Sequence, residues 1–314
     1  MQILCVGDLC CDLIVPYGQM QEALARGDIS RETNDRLQVT MQCGGSVGNV
    51  ARHLGQLGRN PVFVTPLKKD RLGDYLTSEM EKKGVDMRYA APSSKSNMYC
   101  VAVLDQKGER TMFCFVPPWA DFPRFDGKSF EGIPEFPEQI LFTSGMAVLE
   151  DPKNNEALLR FFKERKRSGA VIVFDLNVRA ESYGYEGERR RAMEEMIALS
   201  DILLGSGKEE FCQVTGKKET GEISGTDLIR EAAEELQLRG NGTVIARDGG
   251  NPVLVLGRET GQYIPVRPVK PVSTLGAGDS FDAMFLSCLA AGGEIPEAVR
   301  KASDYAGDYI SKKR

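Results

Sequence analysis

Residues 139–205 carry the stretch that decides the fold: QILFTSG at 139–145, a helical pattern over about 153–167, AVIVFDLN at 170–177, a second helical pattern over about 186–199, and DILLG at 201–205. Short apolar strands alternating with amphipathic helices imply a parallel sheet covered by helices on both faces. The N-terminal part has the same rhythm, with QILCVG at 2–7 as a strand, Gly44-Gly45 leading into a helix through Leu57, and PVFVT at 61–65 as the next strand. The expected fold class is therefore α/β, a doubly wound, mainly parallel sheet flanked by helices. Two stretches, 10–42 and 96–118, break the rhythm. In the second, NMYCVAVLD, QKGE and RTMFCFV read as a β-hairpin around a glycine-containing turn. Neither stretch supplies a long helix between core strands. The expected organisation is a core of 1–9, 43–95 and 119–314 under a small β-rich lid of 10–42 and 96–118, with a cleft between them.

Composition narrows the function. Of 314 residues, 41% are hydrophobic and 27% charged, as in ordinary globular proteins, and no apolar run approaches the roughly 20 residues that span a bilayer. The opening MQILCVGDLCCDLIV has no basic leader, and Asp8 and Asp12 interrupt it, so no signal peptide is read and the mature chain is expected to begin at Met1. Cysteines at 5, 10, 11, 43, 100, 114, 212 and 288 form no C-x-x-C pair, which fits reduced thiols and a cytoplasmic setting. The net charge of -5 gives no reason to expect nucleic acid as a partner. The run Arg189-Arg190-Arg191 reads as a solvated helix face. His53, the one histidine, reads as a surface or packing residue, which leaves little material for histidine-based or His-rich metal chemistry.

Among glycine-rich segments, Gly127-Lys128-Ser129 fails as a P-loop because Phe122 holds the required upstream glycine position. CGGSVGN at 43–49 lacks the G-x-G-x-x-G spacing of dinucleotide folds. STLGAGDSFDAMFLSCLAAGG at 273–293 is more informative, because Gly276-Ala277-Gly278 precede an apolar helix opening at Asp279. Small residues let a ligand approach the backbone, and a helix N-terminus offers free N–H groups and positive potential to phosphate. Taken alone, Asp279 reads more readily as a helix cap than as a catalytic group.

Together, Gly44-Gly45-x-x-x-Asn49 near one end and Gly276-Ala277-Gly278-Asp279 near the other resemble the two signatures of the PfkB (ribokinase-like) carbohydrate kinases. The similarity extends to Gly7-Asp8 with Asp12, to the hairpin, and to Asp175-x-Asn177-x-Arg179. It implies a ribokinase-like fold and ATP-dependent phosphorylation of a small sugar. Asp279 is then the base, with Gly276, Ala277 and Gly278 as the anion loop. Asp12, Gly44, Gly45 and Asn49 are the implied sugar shell, a carboxylate and an amide offering acceptors and donors to hydroxyls. Magnesium is implied with ATP, held mainly by phosphates and water, with no dedicated protein metal site. Glu209, in Ser206-Gly207-Lys208-Glu209, is placed like the glutamate of the family's N-x-x-E element, though Ser206 departs from it and an ordinary first-turn glutamate is the alternative. On the nucleotide side, Arg247, Asp248 and Gly249 resemble a family strand-loop-strand element, with Pro252 replacing a common glycine. Arg247, Gly249, Asn177 and Glu209 are thus the implied cofactor-binding residues. Ser273 stands where many relatives carry the aspartate of a potassium site, and the chain ends soon after its last helix; both weigh against a monovalent cation. Gly108, Glu109 and Arg110 with the 175–179 element resemble the branch acting on fructose, 2-keto-3-deoxygluconate and related sugars. Arg110 meeting a substrate carboxylate and Arg110 in solvent stay open, as do stacking and packing for Trp119. A homodimer through the lid is implied. The alternatives are a nucleoside kinase of this fold and a non-catalytic sugar or nucleotide binder.

Overall fold

Ile3, Leu4, Cys5 and Val6 are all at most 1% exposed, yet they alternate between two hydrophobic clusters, Leu4 and Val6 in one and Ile3 and Cys5 in the other. A strand buried on both faces is the interior of a sheet sandwiched by helices. The computed structural model describes residues 1–105, 110–115, 123–219, 225–240, 242–258 and 260–312. Its main sheet has eight strands in the spatial order Gly261–Ile264, Val253–Leu256, Thr243–Arg247, Ile202–Ser206, Val171–Asp175, Gln139–Ser144, Gln2–Val6, Val62–Val64. The last six of these pair in parallel, and the first two add an antiparallel edge.

From Gln2–Val6 the chain first goes outward to Val62–Val64 and then returns to the other side, to Gln139–Ser144. The strand order therefore reverses beside Gln2–Val6, and ligands in such sheets bind where the strand C-termini diverge at the reversal. A cleft opens there, lined among others by Gly7, Asp8, Leu9, Met98, Met146 and Tyr183. Helices Pro152–Arg167, Gly187–Leu199 and Gly225–Arg239 cover one face, and Ser46–Gln56, Ala277–Ala290 and Ile295–Ile310 cover the other.

A second sheet of four strands, in the order Thr40–Gly44, Cys10–Val15, Met98–Leu104, Arg110–Phe115, is built from the two stretches that broke the strand-helix rhythm. Met98–Leu104 and Arg110–Phe115 pair antiparallel, as a hairpin requires. Its QKGE turn lies outside the described residues. The first stretch also carries two short helices, Tyr17–Ala25 and Arg31–Arg36.

The arginine run is not one solvated face. Arg190 and Arg191 are outward and pair with Glu194, Glu188 and Glu195, but Arg189 is 2% exposed and donates to the carbonyl oxygens of Val148, Gly145, Val178 and Gly184. A guanidinium has five donors, enough to gather the carbonyls left unpaired where strands end and loops begin. His53 is buried, edge-on to the rings of Tyr305 and Tyr309. No helix among the described residues is long and apolar enough to cross a membrane.

Candidate active site

The two glycine-rich elements, far apart in sequence, meet at the sheet's ligand-binding end. Asn49 Nδ2 donates to Asp279 Oδ2 at 2.9 Å across 230 residues of sequence. Asn49 is itself braced, since Arg52 donates to its Oδ1 at 2.9 Å. The turn before Asn49 is shaped by Asp8, whose carboxylate accepts from the Ser46 and Val47 N–H groups at 2.7 and 3.1 Å. Those are first-turn donors without helical partners, so Asp8 acts as an N-terminal cap supplied from the loop between Gln2–Val6 and Cys10–Val15. Gly45 adopts φ 95°, and a Cβ there would lie 2.7 Å from the Asp8 carbonyl oxygen, which excludes any larger residue.

Asp12 is buried in the four-stranded sheet and lies against this turn, where a Cβ on Gly44 would come 2.3 Å from its carboxylate. Asn177, at φ 32°, donates to Ser46 Oγ at 2.6 Å and accepts from Arg179 at 2.8 Å. It therefore belongs to the Gly44–Asn49 turn. The 275–279 loop enters its helix through Gly276 at φ 74°, and the helix runs Ala277–Ala290, two residues earlier than the sequence pattern placed it. In the first turn of this helix Ala277 N donates to the Thr274 carbonyl at 3.2 Å and Ser280 N to the Gly276 carbonyl at 2.9 Å, and a helix N-terminus of this kind suits anionic oxygens. Enclosure of the Asp279 carboxyl pushes it up to about 7; the Asn49 hydrogen bond opposes this and the charges of Asp175 and Asp8 add to it.

Beneath the loop lies a buried charge cluster that the sequence reading did not assemble. Arg247, 7% exposed, donates to Asp175 at 2.8 Å and to Asp282 at 2.6 Å, and also to the Gly205 and Gly278 carbonyls. Its guanidinium lies 5.1 Å from the Phe281 ring centre. Arg247, expected from the sequence on the nucleotide side, turns these donors inward to carboxylates. Gly249, at φ 57°, is exposed at the turn after that strand, with open space around it.

The glutamate expectation also shifts. Glu209 is exposed, whereas the adjacent Glu210 accepts from Ser206 N at 2.6 Å and Val178 N at 3.0 Å. Burial beside the Asp175 charge pushes Glu210 up to about 7. The helix Gly207–Thr215 buries Phe211 and Val214, and residue 210, four before Val214, shares that face while 209 does not. That phase is readable from the apolar positions and is the signal that identifies Glu210. Gly108, Glu109, Trp119 and Phe122 lie outside the described residues, as does the side chain of Arg110.

A family model described as pfkB family carbohydrate kinase matches residues 2–313. The chain belongs to this family. The kinase is a phosphotransferase acting on a sugar hydroxyl. It is 30% identical over 261 residues to the fructokinase of Klebsiella pneumoniae, spanning 82% of this chain and 80% of that protein. It is 24% identical over 304 residues to the 5-dehydro-2-deoxygluconokinase of Clostridium tetani, spanning 95% and 87%. Among solved structures, the fructokinase of Vibrio cholerae O395 in its fructose, ADP and calcium ion bound form superposes with a TM-score of 0.78 at 23% identity, covering 100% of this chain and 94% of that one. At that identity the superposition establishes the ribokinase-like fold of the kinase.

Proposed function

We propose that this kinase transfers the γ-phosphate of ATP to a hydroxyl of fructose, 2-keto-3-deoxygluconate or a related sugar, with Asp279 as the base. The observation that carries this reading is the Asn49–Asp279 hydrogen bond, which puts an amide suited to hydroxyls beside a carboxylate of raised proton affinity. Asp12, Gly44, Gly45 and Asn49 hold the sugar. As the hydroxyl oxygen bonds to phosphorus and the bond to the ADP oxygen breaks, the hydroxyl proton passes to Asp279. Positioning and charge stabilisation contribute most of the acceleration. The N–H groups around Gly276, Ala277 and Gly278 receive charge on the phosphoryl oxygens.

Magnesium, when bound with ATP, shields phosphate charge. The donor set fits it, since hard carboxylate oxygens at Glu210 and Asp175 gather around Arg247, which reaches the Gly278 carbonyl of the loop, and in this reading Glu210 takes the part first assigned to Glu209. Gly249 borders the nucleotide side, where its bare backbone leaves room. Asn177 and Arg247 serve from behind, one holding Ser46 and the other Asp282 below the loop. The four-stranded sheet is the lid, with 10–42 and 96–118 as the lid segments and 1–9, 43–95 and 119–314 as the core. Ligand naming among relatives also favours a second substrate class, because the aminoimidazole riboside kinase of Salmonella typhimurium is 27% identical over 239 residues. ATP consumption across hexoses, keto-deoxy sugar acids and nucleosides decides between them: stimulation by nucleosides alone would overturn the sugar reading.

Three expectations follow from the geometry. Because a general base must be unprotonated, kcat/KM should rise with pH through about 7 and level off above it; a flat profile from pH 5.5 to 8.5 would remove Asp279 from that role. Gly44→Ala drives a methyl group into the Asp12 carboxylate, and a displacement costing about 1–3 kcal/mol should raise sugar KM roughly tenfold or more. An unchanged KM would detach Asp12 from the sugar. Finally, Leu24, Ile29, Val39 and Met41 are exposed apolar side chains within the lid segment, which supports pairing of two lids into a homodimer. Light scattering should then show a dimer that Met41→Glu weakens; monomer alone at micromolar concentration would refute it.

A further inference from the structure

The lid sheet carries two thiols that the phosphoryl transfer does not use, drawn close to the Asp12 carboxylate. Cys10 and Asp12 are two residues apart on Cys10–Val15, so they share one face of the sheet. In the parallel pairing, Cys10 lies opposite Met98 and Asp12 opposite Cys100, which brings Cys100 to the same face. Cys11, on the opposite face, packs into the main core instead, while Cys10, Met98 and Cys100 form a small cluster of their own. The two thiols and the carboxylate are 2%, 4% and 6% exposed for Cys10, Cys100 and Asp12. Their donor atoms all lie within 4.8 Å of one another, and Cys10 Sγ is 3.3 Å from Asp12 Oδ1. Among the described residues this is the one group of three metal-type side chains drawn so close together.

We propose that Cys10, Asp12 and Cys100 form a binding site for a soft divalent cation of the zinc or cadmium class, and that the bound ion excludes sugar from Asp12. Zinc bonded to sulfur at about 2.3 Å and to oxygen at about 2.0 Å in tetrahedral geometry holds its donors roughly 3.5–3.8 Å apart. From donor spacings of at most 4.8 Å, with Cys10 and Asp12 already at 3.3 Å, reaching that geometry needs shifts of no more than about 1.3 Å. Two thiolates and one carboxylate select a thiophilic ion over magnesium, which takes oxygen donors, so the ATP-bound cation does not compete for this site. Binding releases the two thiol protons and leaves the fourth coordination position to water or another donor. It also occupies the carboxylate that the proposed function assigns to the sugar; the inhibitory half of the inference rests on that assignment.

The test titrates cadmium into the full-length reduced protein and follows the ultraviolet thiolate-to-cadmium charge-transfer absorption. One cadmium per chain should generate the band. Cys10→Ser and Cys100→Ser should each weaken binding at least tenfold, while Cys212→Ser and Cys288→Ser leave it unchanged. Affinity unaltered in both of the first two variants overturns the site. Should those variants not fold, X-ray absorption at the zinc edge of the unaltered one-to-one complex gives the answer, with two sulfur neighbours supporting the site and none overturning it. With the sugar of highest turnover, cadmium should raise KM and spare kcat, and Cys10→Ser should abolish that effect. Cysteine-dependent cadmium binding with no change in KM would leave the site standing and overturn both the competition and the sugar role of Asp12.

Discussion

Asp279→Asn lowers kcat by about a hundred to ten thousandfold, the range associated with loss of a positioned base. Asparagine is nearly the same size and still reaches Asn49, so the change removes proton acceptance while leaving the 275–279 loop in place. The same substitution should raise stability at pH 8. Burial holds the Asp279 carboxyl at about 7, above its ordinary value near 3.8. A carboxyl whose folded pKa is raised contributes stability that is fully present below the unfolded value and is lost as pH climbs through about 7. At pH 8 the wild type carries an enclosed charge that the asparagine variant lacks, whereas near pH 4 both are neutral there. Thermal melts at the two pH values check this: the melting temperature of the variant should exceed that of wild type at pH 8, and the gap should shrink in acid. A variant that is both inactive and less stable at pH 8 would point to loop damage instead of a missing base.

Arg247→Met carries the largest expected effect on stability. It leaves Asp175 and Asp282 facing one another without the guanidinium that lies 2.8 and 2.6 Å from them. Breaking a buried ion pair by removing one partner typically costs about 3–5 kcal/mol, because the remaining charge is enclosed and uncompensated. Urea unfolding at pH 8 measures the loss. Adding Asp282→Asn to the variant should recover part of it, since one of the two stranded carboxylates is then neutral. Lowering the pH should recover part as well, because protonation removes the same charge. A loss below 1 kcal/mol would mean that solvent reaches the cluster and that Arg247 does not hold the anion loop from below.

Much of the site was legible because glycines and short polar side chains mark backbone requirements directly. Gly45 at φ 95° and Gly276 at φ 74° are positions where the chain needs glycine, and each belongs to one of the two glycine-rich elements that the Asn49–Asp279 hydrogen bond joins. The strands at 139–145, 170–177 and 201–205 announced a parallel sheet because burial on both faces leaves an unbroken apolar run. The contacts that sequence alone did not yield are those made by long charged side chains. Nothing local distinguishes Arg189, turned into four carbonyls, from Arg190 and Arg191 beside it, which pair with neighbouring glutamates. Arg247 looked like a ligand contact because it ends a strand next to a glycine turn; its partners, Asp175 and Asp282, come from elements 72 and 35 residues away. The placement of Glu210 inward and Glu209 outward differs in kind, since the helical phase of Phe211 and Val214 already distinguishes the two.

The most direct test of the central claim is phosphorylation of fructose and 2-keto-3-deoxygluconate by magnesium ATP, measured side by side for the wild type and Asp279→Asn. The account predicts phosphorylated sugar from at least one of the two with the wild type, and a rate at least about a hundredfold lower with the variant. Near-normal turnover by Asp279→Asn on the same sugar would contradict it.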